Sequence, residues 1–470
     1  MSDPKYPVKR NGEYTLYIEK LAFGGAGVAR LDNYVIFVKD ALPGETVRAR
    51  IRKRKTAYAE ARLLEIEQPS PLRQKPPCPY FEWCGGCTWQ NLRYADQLRY
   101  KQDIVRESLK HIGGVEDVEV LPVLASDREF AYRNKMEFSF SDRRWLTADE
   151  LGDETVRRDF ALGLHVPGTF DKIIQVNHCM LQSERANRVL QIVSEFSQRE
   201  GLQPYGVRSH EGFLRFLVLR ESAYDGGLMV NIVTAYEQVE PLKKLADILF
   251  EQVENIAGVV NNINTRKAQI AVGEKEILLR GLPYIQEKLG PFVFQISANS
   301  FFQTNTRQAE RLYDTVMTFA ELQGREVVWD LYAGTGTISM FLARQAAQVI
   351  GFELAESAVA DAAENARQHE VYNARFVGGD LLHRLEETEP KPDVLVTDPP
   401  RAGMHEKVVR YINEIAPHRI VYVSCNPTTL ARDLAILAQK YRVDTVQPVD
   451  MFPQTYHIET VVKLSLKQEK

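Results

Sequence analysis

The sequence contains no long hydrophobic run. Its apolar stretches all fall well short of the ~20 residues that a membrane-spanning helix requires, which argues against an integral membrane protein. The first seven residues, Met-Ser-Asp-Pro-Lys-Tyr-Pro, have no apolar core, so a secretory signal peptide is not expected. These absences predict a cytoplasmic protein with no membrane partner.

Cysteine is also scarce. Five cysteines in 470 residues do not suggest a disulfide framework in a cytoplasmic chain. Their spacing is uneven, because Cys78, Cys84 and Cys87 lie together, Cys179 is remote and Cys425 stands alone. The distribution predicts a cluster of four and one separate thiol.

Charge is distributed asymmetrically. The net charge is −4, but residues 1–75 contain fifteen Lys and Arg against nine Asp and Glu, so this segment carries +6 and the remainder −10. A basic module on an acidic body indicates that one end contacts a polyanion. A charged face that only keeps the surface hydrated is the alternative.

The first 70 residues predict a small β-barrel. Short alternating strands such as Tyr34-Val-Ile-Phe-Val are separated by turns such as Gly24-Gly-Ala-Gly. The segment Thr46-Val-Arg-Ala-Arg-Ile-Arg-Lys-Arg places four arginines on one face, and guanidinium groups suit phosphate contacts: these are Arg48, Arg50, Arg52 and Arg54. This segment resembles the TRAM domain, an OB-like RNA-binding module.

The cysteine segment, residues 71–91, predicts a tetrahedral sulfur site. Cys78, Cys84 and Cys87 form a C-x₅-C-x₂-C triplet whose Gly-Gly pair allows a tight wrap, and Cys179 can supply a fourth thiolate. Zinc and an iron–sulfur cluster are both candidates. The triplet fits a [4Fe–4S] cluster better than the paired C-x₂-C units of structural zinc sites. Three unligated thiols are the plain alternative.

Residues 92–293 predict a central α+β domain, with a helix from about Ala95 to Ile112. Residues 294–470 predict a Rossmann-like domain with a doubly wound parallel sheet, since strand, glycine turn and helix alternate there. The polar and aromatic stretch that opens it offers Gln303 and Asn305 as hydrogen-bonding groups for a ligand.

A glycine-rich turn in the last domain predicts a cofactor site. Gly334 and Gly336 follow a strand, so a ligand could lie against bare backbone at a helix N-terminus. The turn lacks the third glycine of a dinucleotide site, and Asp330 would repel a pyrophosphate but suits the amino group of S-adenosylmethionine. Glu353 ends the next strand, where it can accept from ribose hydroxyls, and Asp380 is placed to meet the adenine amino group.

Two further strand ends carry candidate chemistry. Asp398-Pro-Pro-Arg401 has arginine where amino-methylating enzymes have an aromatic residue, which indicates another nucleophile. Cys425 follows the strand Val-Tyr-Val-Ser and could add to carbon 6 of uracil, so that carbon 5 becomes nucleophilic. A base must then remove the carbon-5 proton, and Glu459 is the candidate, with His457 as its competitor.

The ordered motifs Asp-Pro-Pro-Arg, Ser-Cys-Asn-Pro and His-Ile-Glu-Thr, with the cysteine cluster and the barrel, resemble the bacterial RNA uracil-C5 methyltransferases along nearly the whole chain. The resemblance implies that Cys425 is the nucleophile and Glu459 the base, and that Cys78, Cys84, Cys87 and Cys179 hold a structural [4Fe–4S] cluster. It implies S-adenosylmethionine contacts at Gln303, Tyr332, Thr337, Glu353, Asp380 and Asp398. The turn reads Ala-Gly-Thr-Gly-Thr where many members have Cys-Gly-x-Gly-Asn.

The expected activity is methylation of a uridine at carbon 5 in RNA, with no DNA partner. Family members with both barrel and cluster typically act on 23S ribosomal RNA, which favours that target over the T-loop of transfer RNA. A catalytically inactive RNA-binding protein and an iron–sulfur radical methylase are the alternatives from other classes. Intact Asp330, Asp398 and Cys425 argue against the first, and the fourth cysteine argues against the second. The sequence leaves the oligomeric state open.

Overall fold

The computed structural model describes residues 6 to 468, so most of the N-terminal stretch 1–7, in which no signal peptide is expected, lies outside the described residues. The described chain forms two compact units. The first comprises the residues up to Lys75, Thr88–Asp127 and those from Gln308 onward, and the second comprises Pro76–Cys87 and Arg128–Arg307.

The chain begins with a curled β-sheet in the first unit. Its strands are β1 (Glu13–Tyr17), β2 (Lys20–Leu21), β3 (Gly27–Leu31), β4 (Tyr34–Lys39), β5 (Thr46–Arg54) and β6 (Tyr58–Gln68). They pair in the order β1-β5-β6-β4-β3-β2, and β1 also contacts β3. Alternate side chains such as Ile36, Val47 and Ile51 fill its core. The predicted OB-like barrel is confirmed.

The arginine face of β5 carries carboxylates from its neighbours. Val47, Ala49 and Ile51 are buried while the intervening arginines point outward, as the alternation predicts. Arg48 forms ion pairs with Glu13 at 3.0 Å and Glu65 at 2.7 Å, and Arg50 pairs with Glu13 at 2.6 Å. Exposed pairs of this kind contribute little to stability. Phosphate binding by this face stays a prediction.

A single long helix and a short strand follow in the first unit. They are α1 (Tyr94–His111) and β7 (Glu119–Val120). The helix agrees with the predicted span from Ala95 to Ile112. It buries Ile104, Val105 and Leu109, which repeat at helical spacing.

The second unit is built on a mixed eight-stranded sheet and one hairpin. Its elements are β8 (Lys135–Ser141), β9 (Arg144–Trp145), β10 (Ala161–His165), β11 (Ile173–Gln175), α2 (Glu184–Arg199), β12 (Leu214–Glu221), β13 (Leu228–Thr234), α3 (Val239–Gln252), β14 (Ile256–Ile263), β15 (Lys275–Gly281), β16 (Tyr284–Leu289) and β17 (Phe292–Ser297). The sheet order is β15-β14-β13-β12-β8-β10-β11-β9, and β16 pairs with β17. Helices and strands thus mix as expected for an α+β domain.

The rest of the first unit is an α/β domain. Its elements are α4 (Thr306–Ala320), β18 (Val327–Leu331), α5 (Thr337–Ala343), β19 (Gln348–Glu353), α6 (Glu356–Gln368), β20 (Ala374–Gly378), α7 (Leu381–Glu387), β21 (Val394–Thr397), α8 (Glu406–Ile415), β22 (Arg419–Ser424), α9 (Pro427–Leu437), β23 (Tyr441–Val449) and β24 (Glu459–Leu466). The strand order is β20-β19-β18-β21-β22-β24-β23-β7. The first five of these strands run parallel, and β24 joins β22 antiparallel.

This topology confirms the doubly wound sheet and fixes where a site can form. The central strands β18, β21 and β22 are almost wholly buried and apolar, as parallel strands covered on both faces must be. Ligands in such sheets bind beyond the carboxyl ends of the strands, near the point where the strand order reverses. Here β19 and β20 lie to one side of β18, and β21 and β22 lie to the other.

In the part of the chain that the structure describes, no helix is both long and apolar enough to cross a membrane. Residues 294–307, which the sequence places at the start of the last domain, belong to the second unit.

Candidate active site

The turn between β18 and α5 leaves backbone bare at the sheet edge. Tyr332, Gly334 and Gly336 all have positive φ, at 63°, 55° and 79°. A Cβ on Gly336 would lie 2.7 Å from the Phe376 ring, so only glycine fits there, whereas space above Gly334 is open. The turn therefore offers a tight backbone bend with an open face at the start of α5.

Asp330 lies directly beneath this turn. Its side chain is fully buried, and Oδ2 accepts a hydrogen bond of 2.6 Å from the Ser339 hydroxyl. Among the described residues Oδ1 has no hydrogen-bond partner. Burial raises the pKa of Asp330 to about 7, with smaller contributions from the charges of Asp398 and Glu353. A buried carboxylate oxygen without a donor is costly, so this atom is suited to a cationic ligand.

The carboxylates at the carboxyl ends of β19 and β20 already accept hydrogen bonds from the protein backbone. Glu353 accepts from the Gly334 N–H at 3.0 Å and from the Ala355 N–H at 3.0 Å, which fixes its orientation against the turn. Asp380 is exposed and caps α7 by accepting from the His383 N–H at 3.2 Å. Each carboxylate keeps free lone pairs for a further donor, because an ionised carboxylate can accept about four hydrogen bonds.

Asp398 follows β21 and begins a loop that is held firmly against α9. The Met404 N–H at the loop's end donates to Asp433 Oδ2 at 2.9 Å, and the buried Tyr422 hydroxyl donates to the same oxygen at 2.7 Å. A Cβ on Gly403 would come within 2.5 Å of the Arg432 guanidinium. Burial raises the pKa of Asp398 to about 6.

Cys425 and Glu459 meet at the same sheet edge. Cys425 follows the last residue of β22, and Glu459 is the first residue of β24. Burial raises the pKa of the Cys425 thiol to about 11, and the negative charges of Glu459 and Asp398 add to this effect. Burial, with a contribution from Asp398, also raises the pKa of Glu459 to about 8.

Arg401 supplies positive charge to this cluster. Its guanidinium favours the ionised forms of both Cys425 and Glu459, and its Nη2 lies 2.9 Å from Nδ1 of His457. Its backbone carbonyl accepts from the Asn426 side chain at 3.0 Å. Asn426, the residue after Cys425, thus fixes the loop that carries Arg401.

Gln303, predicted to contact the cofactor, belongs to the second unit. Its carbonyl accepts a hydrogen bond of 2.8 Å from the Asn134 side chain, which also donates to the Thr306 hydroxyl at 2.8 Å. That hydroxyl in turn donates to the buried Glu287 carboxylate at 3.2 Å. These contacts fix the backbone around Gln303.

The four clustered cysteines also belong to the second unit, and they lie close to one another. Burial raises the pKa of Cys84 to about 12, and the charges of the other three, Cys78, Cys87 and Cys179, contribute. The Gly86 N–H donates to the Cys84 sulfur at 3.3 Å. A Cβ on Gly85 would lie 2.9 Å from the His165 carbonyl oxygen, so the backbone turn between Cys84 and Cys87 requires glycine at this position.

In residues 6 to 468, no group of three or more His, Cys, Asp or Glu side chains has the geometry to hold a metal ion. The electrostatic coupling of the four thiols shows that they are neighbours, but not that they are arranged as ligands. His178, the residue before Cys179, lies 2.9 Å from the Glu184 carboxylate.

Comparison with known proteins identifies the family of this chain. Residues 222–467 match the family described as tRNA (Uracil-5-)-methyltransferase, and residues 7–64 match the TRAM domain. The chain belongs to this methyltransferase family.

Similar proteins agree with this assignment. A Chlorobaculum tepidum protein named as an uncharacterized RNA methyltransferase is 48% identical over 428 residues, covering 89% of each chain. A Bacteroides thetaiotaomicron protein with the same description is 41% identical over 95% of this chain and 100% of its own. The crystal structure of Pyrococcus abyssi tRNA (uracil-54, C5)-methyltransferase with S-adenosyl-L-homocysteine covers 96% of this chain and 99% of its own, at 30% identity and a TM-score of 0.74. The protein is therefore an RNA methyltransferase.

Three residues make contacts in the methyltransferase site that the sequence did not indicate: Arg401, Ser339 and Asp433. In the sequence Arg401 stands out only as a departure from an aromatic residue, although its place in the Asp-Pro-Pro-Arg motif is a signal for a cation beside the thiol. Ser339 and Asp433 hold Asp330 and the loop after Asp398 by hydrogen bonds. Neither residue belongs to a recognisable motif, so sequence reasoning missed them.

Proposed function

We propose that this methyltransferase forms 5-methyluridine in RNA with S-adenosylmethionine as donor, through a covalent bond between Cys425 and the uracil ring. The observation that carries the proposal is the meeting of Cys425 and Glu459 at one sheet edge beside Asp398. A nucleophile and a base within electrostatic range of each other are the two groups that this substitution requires.

Cys425 activates the ring. Carbon 5 of uracil is too weak a nucleophile to take a methyl group unaided, and addition of the Cys425 sulfur to carbon 6 places electron density on carbon 5. Because the pKa of the thiol is raised to about 11, the thiolate is a minor form at neutral pH. The Arg401 guanidinium favours that thiolate.

Glu459 completes the reaction. Once carbon 5 carries both a methyl group and its original hydrogen, the Glu459 carboxylate takes this proton. The carbon 5–carbon 6 double bond then re-forms, and the Cys425 sulfur leaves as a thiolate. A pKa of about 8 makes Glu459 a stronger base than an ordinary glutamate at the same sheet edge would be.

The residues around the glycine turn fit the donor. S-adenosylmethionine supplies an electrophilic methyl group on a sulfonium centre when it is bound. The unpartnered Oδ1 of Asp330 suits its ammonium group, and the open backbone face at Gly334 leaves room for its chain. We assign the ribose hydroxyls to Glu353 and the adenine amino group to Asp380. Further contacts are proposed at Gln303, Tyr332, Gly336, Thr337 and Asp398.

A mechanism-based trap tests the covalent step. RNA containing 5-fluorouracil has no proton at carbon 5 for Glu459 to remove, so the complex with Cys425 should persist in denaturing gels when the methyl donor is present. Cys425→Ala should form no such complex and transfer no methyl group. Undiminished methyl transfer by Cys425→Ala would overturn the proposal.

We propose 23S ribosomal RNA as the target, on the basis of the barrel and the cysteine cluster. The similarity to the Pyrococcus abyssi tRNA (uracil-54, C5)-methyltransferase favours the T-loop of transfer RNA as the second candidate. Mapping 5-methyluridine in ribosomal and transfer RNA from cells with and without this protein distinguishes the two. Loss from transfer RNA alone would reverse the order of the candidates. A cytoplasmic location accords with either RNA.

We also propose that Cys78, Cys84, Cys87 and Cys179 hold a structural [4Fe–4S] cluster. Four neighbouring thiols match its ligand set, and the Gly86 N–H bond to sulfur is of the kind that tunes such clusters. The purified protein should be brown, with broad absorbance near ~400 nm that Cys84→Ser loses. A colourless protein with stoichiometric zinc would assign the site to zinc instead.

A further inference from the structure

A small charged cavity lies in the second unit, apart from the cysteine cluster. Its volume is about 210 Å³, and its walls come from β8, β12, the loop that precedes β15 and the turn after β17. This is smaller than the ~300–1,000 Å³ of typical small-molecule sites, so it suits part of a larger ligand rather than a whole cofactor.

Two cations lie side by side in its wall. Lys135 on β8 and Arg220 on β12 are directly paired in the antiparallel register. Like charges in such positions repel, and each is also desolvated: burial, and then Arg220, lowers the pKa of Lys135, and burial lowers the pKa of Arg220 to about 10. Such a pair is unfavourable unless an anion joins it.

The protein itself neutralises this pair only partly. Glu137 lies 3.7 Å from the Lys135 ammonium group and contributes one negative charge to the cavity. Arg220 is 4% exposed; it donates to the Ser300 carbonyl, while its Nε has no hydrogen-bond partner in the part of the chain that the structure describes. A buried guanidinium with an unused donor is suited to a ligand acceptor.

Hydrogen bonds hold the loop that precedes β15, which forms the opposite wall of the cavity. The buried Arg215 donates to the carbonyls of Asn264, Arg266 and Ala268, at 2.6, 2.6 and 2.7 Å. These contacts fix the loop whose exposed Ile270 and Val272 line the cavity. The cavity therefore combines a fixed apolar wall with a charged one.

We propose that this cavity binds one ribonucleotide of the RNA substrate, distinct from the uridine that is methylated. The phosphodiester lies against Lys135 and Arg220, and Glu137 accepts a hydrogen bond from the ribose 2′-hydroxyl. The nucleoside packs on Ile270 and Val272. The inference rests on the proposed RNA substrate. It deepens that proposal by adding a site that discriminates RNA from DNA through the 2′-hydroxyl.

Salt dependence of RNA binding tests the phosphate contact. The probes are unmodified transcripts of 23S ribosomal RNA and of a transfer RNA, bound by the full chain at several salt concentrations. Lys135→Met should weaken binding to the substrate and lower the slope of log Kd against log salt by about one, the value for one lost phosphate contact. Arg220→Lys should weaken binding in the same direction while keeping the fold.

The matched control is Lys267→Met. Lys267 lies on the same loop and is exposed, but it is not part of the cavity lining, so its removal changes the net charge equally. If Lys135→Met and Lys267→Met have equal affinities and slopes, the inference is overturned. UMP that competes with RNA on the wild type but not on Lys135→Met, with RNA binding itself unchanged by the substitution, would assign the cavity to free nucleotides and also overturn it.

A 2′-deoxy scan tests the ribose contact. Single deoxynucleotides placed along the RNA should weaken wild-type binding roughly tenfold at one position away from the methylated uridine, as expected for one hydrogen bond to a charged group. Glu137→Ala should remove this difference. If no position shows it, the ribose contact is overturned.

The two proposals fail in different ways. A wild-type protein that methylates neither RNA would overturn the proposed function, and the salt slopes would still decide on the cavity. Normal methylation, with an unchanged slope in Lys135→Met and an unchanged affinity in Arg220→Lys, would overturn only the cavity.

Discussion

Ser424 on β22 is paired in register with Thr460 on β24. Because the two strands run antiparallel, the residue after Ser424 and the residue before Thr460 lie at the same edge of the sheet. These residues are Cys425 and Glu459. A late antiparallel strand inserted into a parallel sheet thus brings together groups that are more than thirty positions apart in sequence. The negative charges of Glu459 and Asp398 disfavour ionisation of Cys425, and burial with the charge of Asp398 disfavours ionisation of Glu459, so the site holds protons at neutral pH.

Resolution of the covalent adduct should depend on pH through Glu459. Its pKa is raised to about 8, so the carboxylate that removes the carbon-5 proton is the minor form below that pH. The rate at which a preformed adduct with ordinary uridine RNA resolves, measured on denaturing gels after a pH jump, should rise as the final pH is raised from 6 to 9 and should level off above about 8. The carboxylate fraction falls about tenfold per pH unit below the pKa, so the effect should be steep.

Glu459→Gln provides the control for this titration. The variant cannot ionise at this position, and its adduct should persist across the same pH range. An adduct that resolves in Glu459→Gln as fast as in the wild type would contradict the assignment of Glu459 as the base.

Asp330→Asn should stabilise the protein while impairing donor binding. The native-state pKa of Asp330 is about 7, above the ~3.9 of an unfolded aspartate, so the native state holds this proton more tightly. Its contribution to stability is therefore present at low pH and is lost as the pH rises from about 4 to about 7. The substitution keeps an acceptor for Ser339 and removes the charge, so the gain should be a few kcal/mol at pH 8 and near zero at pH 4.

Chemical denaturation at the two pH values measures this difference, and calorimetry with S-adenosylmethionine measures the lost binding. Ser339→Ala is a useful comparison, because it removes the hydrogen bond at 2.6 Å but keeps the charge. It should destabilise the protein at pH 8. A stability gain of equal size at both pH values would show that Asp330 does not titrate in this range.

Local sequence patterns predict the elements of this protein well, and its hydrogen-bond networks poorly. The helix start at Thr337 and the strand start at Glu459 follow from a glycine turn and from an apolar run. The boundaries of the two compact units do not, because they depend on contacts between distant segments. The pairing of Lys135 with Arg220 likewise depends on the register of strands about eighty residues apart. Their side-by-side charges could not be anticipated from either strand alone.

Asp433 should be required to hold the loop that begins at Asp398 in its position. Its carboxylate accepts from the Tyr422 hydroxyl and from the Met404 N–H, and all three residues are buried. Asp433→Ala leaves these two buried donors without their partner, at a cost of ~1–3 kcal/mol each, and also removes the ion pair with the half-exposed Arg432 at 2.7 Å. Tyr422→Phe removes only one bond and should cost about 1 kcal/mol.

Unfolding free energies, together with methyl transfer at saturating donor, measure these two variants. Asp433→Ala should also slow methyl transfer, since the loop positions Asp398 beside Cys425. Equal effects of the two substitutions on stability would contradict the view that Asp433 serves two donors.

The buried ion pair between Lys101 and Asp450 should show a strongly non-additive response. The two side chains are fully buried, with 2.6 Å between Nζ and Oδ1, and Asp450 also accepts from the Tyr94 hydroxyl at 2.9 Å. Lys101→Met leaves an uncompensated buried carboxylate and should cost ~3–5 kcal/mol. The double variant Lys101→Met/Asp450→Leu removes both charges and should recover a large part of that loss, because a buried pair contributes less than its desolvation costs.

Hydrogen exchange of the α1 amides is the appropriate measurement, since a chain of two compact units need not unfold in one step. Lys110→Met, at an exposed position of the same helix, should change protection by less than ~0.5 kcal/mol. Equal losses for Lys101→Met and Lys110→Met would mean that water solvates the pair, which would contradict the buried contact of α1 with the segment leading to Glu459.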